Sequence, residues 1–173
     1  VNAKTIRETL ARQRSLILDL YFKECASIAA KLSQSTDRVS FGQAMLDKIQ
    51  EYRGVFPNAY HAVPARHRDM PYRVFLRLVQ QRLQSTYDDD VFPYEKVGQL
   101  VDDIELIADS LAQNKGHQAG FFAVRRLLRR IDTFGFHMVT LDIRQDSEVH
   151  RNVVGECLGE DDWLEMSADE RTA

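Results

Sequence analysis

Apolar positions recur with a helical period over most of this chain. Ile6, Leu10, Ile17, Leu20, Ile28 and Leu32 predict a helix from a cap at Asn2 to about Ser33, with Arg7, Arg14 and Lys31 on its polar face. Ser40 with Gln43 has the capping-box spacing, and Val39 can staple onto Ala44. A second helix is expected there, with Met45, Ile49 and Tyr52 inward and Gly54 as its stop. Residues 54–69 hold Pro57 and Pro64 and show no clean period, which predicts a loop. Pro71 suits the first position of a third helix with Phe75, Leu76, Val79 and Leu83 inward, ended by Asp88-Asp89-Asp90. Val97, Leu100, Val101, Ile104, Ile107 and Leu111 form the strongest stripe, in a fourth helix ended by Asn114 and Gly116. A fifth runs from about Gly120 to Asp132, with Phe121, Val124, Leu128 and Ile131 inward and Gly135 as terminator.

The texture then changes. Phe136-His137-Met138-Val139-Thr140-Leu141-Asp142-Ile143 is apolar, partly β-branched and without helical period, so a buried strand is expected over 136–144. Ser147 is expected to cap a further helix containing Val149, Val153, Val154 and Leu158, and a short turn surrounds Trp163 to Met166. The chain thus reads as a helical region, 1–135, a strand, 136–144, and following helices, 145–173. One strand cannot form a sheet, so its partners are expected in a larger protein from which this is an internal segment.

Composition narrows the class. In 173 residues, 44% are hydrophobic and 28% charged, which fits a globular domain with a real core. Eight glycines and four prolines leave few turns, in keeping with long helices. A net charge of −3 and the absence of a polybasic run argue against nucleic-acid or membrane partners. No stretch is apolar enough to cross a bilayer or to serve as a signal peptide, and Cys25 and Cys157 lack CxxC spacing. Reduced thiols in a cytoplasmic protein are expected.

Candidate chemistry concentrates in Leu141-Asp142-Ile143-Arg144-Gln145-Asp146-Ser147. On a strand, Leu141 and Ile143 face one side while Asp142 and Arg144 face the other. A charged pair at a strand's end, just before a helix, is where α/β enzymes place active-site groups, and a fixed guanidinium can hold phosphate or carboxylate. The structural alternative is an Asp142–Arg144 ion pair that only neutralises two charges. Arg125, Arg126, Arg129 and Arg130 form a basic stripe better read as a solvated or interdomain face. The aspartate run lacks the alternation of a calcium loop, and the five histidines show no metal spacing. P-loop, GxGxxG and GxSxG signatures are absent.

Leu127-Leu128-Arg129-Arg130-Ile131-Asp132-Thr133-Phe134-Gly135, then Val139-Thr140-Leu141-Asp142-Ile143-Arg144-Gln145-Asp146-Ser147 with His150, closely resembles the phosphoenolpyruvate carboxylase family, whose strand reads LDIRQES and is succeeded by RH. Pro71-Tyr72-Arg73-Val74 with Leu76, Arg82-Leu83 and Thr86 resembles its PYR helix, and Val1-Asn2-Ala3-Lys4-Thr5 resembles the stretch just after its GDRDGNP loop. Asp146, Thr140 and Val149 depart from the family's usual Glu, Lys or Arg, and Arg.

The resemblance implies a helical segment of a TIM-type α/β barrel enzyme, a carbon–carbon lyase that is cytoplasmic, allosteric, homotetrameric and anaplerotic. It joins phosphoenolpyruvate to bicarbonate through carboxyphosphate and an enolate, giving oxaloacetate and phosphate. The reaction uses Mg2+ or Mn2+ and no biotin. Carried onto this chain, the motif makes Arg144 the ligand of substrate phosphate, with Asp142, Gln145 and His150 positioning it. The family's TAHPT histidine, its GDRDGNP and FHGRGG loops and its metal-binding carboxylates do not occur in the sequence. Metal ligands are therefore expected outside this chain, and the chain alone is expected to be inactive. The competing class is a non-enzymatic helical interaction domain in which the LDIRQ run is coincidental.

Overall fold

A computed structural model describes residues 3–114, 116–140, 144, 146–160, 162, 163, 165–167, 169 and 170. Seven α-helices occur among them: α1 (Ala3–Lys31), α2 (Gln43–Val55), α3 (Pro57–His61), α4 (Pro71–Asp88), α5 (Val97–Gln113), α6 (Phe121–Phe134) and α7 (Ser147–Leu158). The fold is mainly helical, as expected. Two compact units divide it, Val1–Val139 and Thr140–Ala173.

In the larger unit α4 is the central helix, packed against α1, α2, α3 and α5, while α6 lies on α5 and α1. Its sequence explains this place. Pro71 sits at the first position, and Tyr72, Phe75, Leu76, Leu78, Val79 and Leu83 are all closed to solvent. Burying each such side chain contributes roughly 1.5–3 kcal/mol. Tyr72 also meets Phe41 edge-on, and its hydroxyl lies 2.9 Å from that of Ser110 on α5.

Helices α1 and α4 run antiparallel and exchange side-chain bonds to each other's carbonyls. Arg14 donates to Thr86 O at 2.7 Å, Gln80 to Phe22 O at 3.0 Å, and Arg73 to Leu32 O at 2.8 Å and Ala30 O at 3.1 Å. Each arginine thus satisfies carbonyls at the other helix's C-terminal end, where positive charge is also favoured. The register explains a difference from expectation. Leu10 is 41% exposed and Ile6 is not buried, because α4 ends level with Arg14 and leaves the first turns of α1 unopposed. The core stripe is instead Ile17, Leu18, Tyr21, Cys25, Ile28 and Leu32.

Expectations around α2 and the stretch after it are corrected. Helix α2 starts at Gln43 with Gly42 as cap, not at Ser40; Gln43 bonds Asp47 at 2.7 Å, and Ser40 O accepts from Asn114 at 2.8 Å. Gly54 lies inside α2, which Pro57 ends by starting α3 one residue beyond Phe56. The expected loop 54–69 therefore holds α3 and a 3-10 turn at Ala65–His67, with Phe56, Ala59 and Val63 buried.

The expected strand over 136–144 falls only partly on described residues. Residues 135–139 form turns, and no strand occurs among the described residues. His137 N and Met138 N donate to Phe134 O at 3.3 and 2.9 Å, and Val139 N to His137 O at 2.6 Å. A lone strand leaves its backbone groups unpaired, whereas this turn bonds them to the end of α6. Residues 141–143 and 145, the rest of the expected strand, lie outside the described residues.

Three helices meet at a buried ion pair. Arg82 on α4 is 4% exposed, Asp103 on α5 is 1% exposed, and their charged atoms are 3.8 Å apart. Tyr52 of α2 and Tyr94 each donate to Asp103 Oδ2, at 2.6 and 2.5 Å, and Arg82 Nη1 donates to the Tyr52 hydroxyl. The guanidinium also stacks over the rings of Phe92 at 4.3 Å and Tyr94 at 4.1 Å. Burial raises the Asp103 carboxyl above its ordinary value, against the lowering pull of both tyrosines and Arg82.

This pair makes two predictions for stability. Asp103→Ala leaves Arg82 buried without a counter-charge and should cost about 3–5 kcal/mol in urea unfolding. Because the folded-state pKa lies above the unfolded one, Asp103's proton-linked contribution is present below about pH 4 and fades as pH rises through the folded value. Asp103→Asn should remove that slope, and an unchanged stability–pH profile would contradict the assignment.

Candidate functional site

The smaller unit carries the motif residues that the sequence singled out. Arg144 is exposed, two residues ahead of Asp146, the N-cap of α7. Asp146 accepts the Glu148 N–H at 2.8 Å, and Glu148 adds a second acidic group to the first turn, where the helix dipole favours it. Ser147, the expected cap, is the first helical residue instead. His150 is exposed in the first turn, its N–H bonded to Asp146 O at 3.2 Å. Asp142 and Gln145 lie outside the described residues. Val149, Val153, Val154 and Leu158 leave an apolar stripe 41–59% exposed, while Gly155 is buried against Trp163. A Cβ at Gly155 would meet Trp163 Cβ at 2.8 Å, so only glycine fits there.

The larger unit ends in the turn after α6. Gly135 has φ +53° and Met138 φ +61°, a left-handed conformation uncommon outside glycine. Helix α1 holds both ends of this turn. The Tyr21 hydroxyl, fully buried, sits 2.8 Å from Gly135 O and 3.2 Å from Arg130 O. The Gln13 amide nitrogen, oriented by its hydrogen-bond partners, donates to His137 O at 2.5 Å and Val139 O at 3.2 Å. Beside them Glu24 pairs with Arg130 at 2.6 Å and Arg126 at 3.4 Å, so this half of the arginine stripe is a contact between helices of one unit rather than the solvated or interdomain face expected. Sequence reasoning missed Tyr21 and Gln13. Their partners lie more than a hundred residues away, and the one local signal is Tyr21's place on the apolar face of α1.

Other candidates offer less chemistry. A cleft of about 340 Å3 between α1 and α4 is lined by Leu16, Asp19, Phe22 and Tyr87, and another of about 310 Å3 by Ala26, Val63, His67 and Arg77. Neither is lined by a residue of the LDIRQ segment, although Arg73 of the PYR run borders the second. Burial pushes the Cys25 thiol up to about 12, whereas Cys157 on α7 is exposed. No three His, Cys, Asp or Glu side chains converge as a metal would require, among the described residues. None of the described helices is long and apolar enough to cross a membrane.

Comparison with known proteins decides the family. The model of the phosphoenolpyruvate carboxylase family matches residues 1–173. The chain belongs to the phosphoenolpyruvate carboxylase family. A phosphoenolpyruvate carboxylase of Xanthomonas oryzae pv. oryzae is 46% identical over 173 residues, which is 100% of this chain and 19% of that protein. Those of Ralstonia nicotianae and Aromatoleum aromaticum are 33% and 31% identical, each over 170 residues and 91% of this chain. The chain spans about a fifth of the length of these relatives. Within the family's PYR helix, structure gives each letter a task here: Pro71 starts α4, Tyr72 fills the core, and Arg73 closes the end of α1.

Asp146→Ala should cost about 1 kcal/mol of α7 stability, read as faster hydrogen exchange at Glu148 and Val149. Exchange unchanged there would show that the cap contributes nothing.

Proposed function

We propose that the polypeptide carrying this chain carboxylates phosphoenolpyruvate with bicarbonate, giving oxaloacetate and phosphate, and that Arg144 binds the substrate's phosphate. The family match over residues 1–173, which includes the LDIRQ segment at 141–145, carries this reading. The chemistry suits a guanidinium. The phosphoryl group passes from the enol oxygen to bicarbonate, and a fixed planar donor stabilises charge spread over its oxygens. Asp142, Gln145 and His150 act through Arg144, holding it in place. The Mg2+ or Mn2+ of the resemblance neutralises phosphate charge when bound, with ligands outside this chain, and biotin takes no part. The working enzyme is a cytoplasmic, allosteric homotetramer, and this chain alone is inactive.

The test is bicarbonate-dependent oxaloacetate formation by the full polypeptide. Arg144→Ala should lower the rate by about 10²–10³, with Arg144→Lys recovering only part because it lacks the paired donors. Activity untouched by Arg144→Ala would make the arginine a structural residue. A wild type inactive with metal and both substrates would favour the helical interaction domain.

A further inference from the structure

We propose that the outer faces of α5 and α6 form a docking surface for a second copy of this chain, in which Arg125 and Arg129 of one copy meet Asp109 and Glu105 of the other. This face rests on the functional reading only for self-assembly, not for the role of Arg144. Segregation of charge is the first observation. Exposed charges on α1 and α2 pair within their own helix, Lys4 with Glu8, Lys23 with Asp19 and Lys48 with Glu51. Helix α5 instead exposes Asp102, Glu105 and Asp109 and holds no basic residue, whereas α6 exposes Arg125 and Arg129. None of these five side chains forms an ion pair with a described residue. Like charges four apart weaken the helix that carries them, a local cost that an outside partner of opposite sign offsets. The second observation is Phe122, 66% exposed on the same face of α6, three residues before Arg125 and seven before Arg129. Exposed aromatic rings beside arginines are the composition of interface centres.

Register is the third observation, and it singles out a second copy as the occupant. Helices α5 and α6 pack together and are joined by residues 114–120, so they run antiparallel. A two-fold axis parallel to them sets α5 of each copy against α6 of the other and keeps every residue at its own height. Counting outward from Gln113 and Phe121, Arg125 then meets Asp109, Arg129 meets Glu105, and Phe122 lies over the exposed, small Ala112. Asp132 comes level with Asp102 at the far end, an unfavourable contact between like charges. Symmetry doubles each of these contacts. Exposed ion pairs are individually weak and screened by salt, so the resulting association is salt-sensitive.

Sedimentation velocity of the full polypeptide, at low and at high salt, tests the face. Arg125→Glu with Arg129→Glu makes both stripes acidic, and Glu105→Arg with Asp109→Arg makes both basic. Each double variant should weaken association by about tenfold or more and lower the assembly order. All four positions are exposed, so circular dichroism should be unchanged. Mixing the two variants should restore the wild-type species, because each offers the sign that the other lacks. Wild-type assembly in both double variants overturns this face and leaves the homotetramer and carboxylase readings standing. A monomeric wild type overturns the face and the homotetramer together, while oxaloacetate formation judges the carboxylase separately. If only the arginine reversal disassembles the protein, or the mixture does not reassemble, the arginines meet another segment of the polypeptide and the second copy is overturned as their partner.

Discussion

Two opposite charges closed off from water set the arrangement of the larger unit. Removing Arg82 and Asp103 from solvent costs several kcal/mol per ion, and their attraction at 3.8 Å offsets this only with further hydrogen bonds around them. Those bonds come from three directions: Tyr52 on α2, Tyr94 ahead of α5, and the Gln99 carboxamide and Pro93 carbonyl, each 3.4 Å from Arg82 Nη2. Displacing any of these elements would expose an uncompensated charge. The demand also explains the backbone between α4 and α5. Asp89 and Phe92 hold positive φ angles, and Phe92 in that conformation lays its ring against the guanidinium. Thr86 joins the two parts by donating to Arg82 O and accepting the Tyr94 N–H.

Helices α4, α5 and α6 were legible because their apolar stripes are long and their ends carry Pro71, Asn114 and Gly135. Local pattern was weaker wherever the answer depended on a distant partner. The period of α1 marks an apolar face but not how far another helix lies against it, which is why Ile6 and Leu10 were misplaced. Ser40 has the spacing of a cap, yet its carbonyl serves Asn114 and the helix starts at Gln43. Short helices such as α3 hold too few residues to show a period. The β-branched run after Gly135 has strand preference, and preference cannot supply a neighbouring strand. Arg82 and Asp103 stand among apolar positions of their helices, and nothing local says that they meet.

The candidate site divides in the same way. Arg144 stood out by its place at the end of an expected strand and His150 only through a resemblance, and the family match supports that resemblance at the level of the whole chain. Tyr21 and Gln13 came only from coordinates, since their contacts span most of the larger unit. Helix α1 thereby has two tasks on neighbouring faces. It closes against α4 with arginine-to-carbonyl bonds, and it holds the exit of α6 through Tyr21 and Glu24.

The two thiols differ in a way that gives this chain a built-in handle. Cys25 is sealed in the core, and its acidity is suppressed first by burial and then by Glu24 and Asp103 nearby. Alkylating reagents attack the thiolate, which Cys25 neither forms at neutral pH nor presents to solvent. Cys157 lies exposed on α7. A single maleimide dye or nitroxide added to the native chain would settle on the smaller unit alone, and spectroscopy could follow that unit without any engineered substitution.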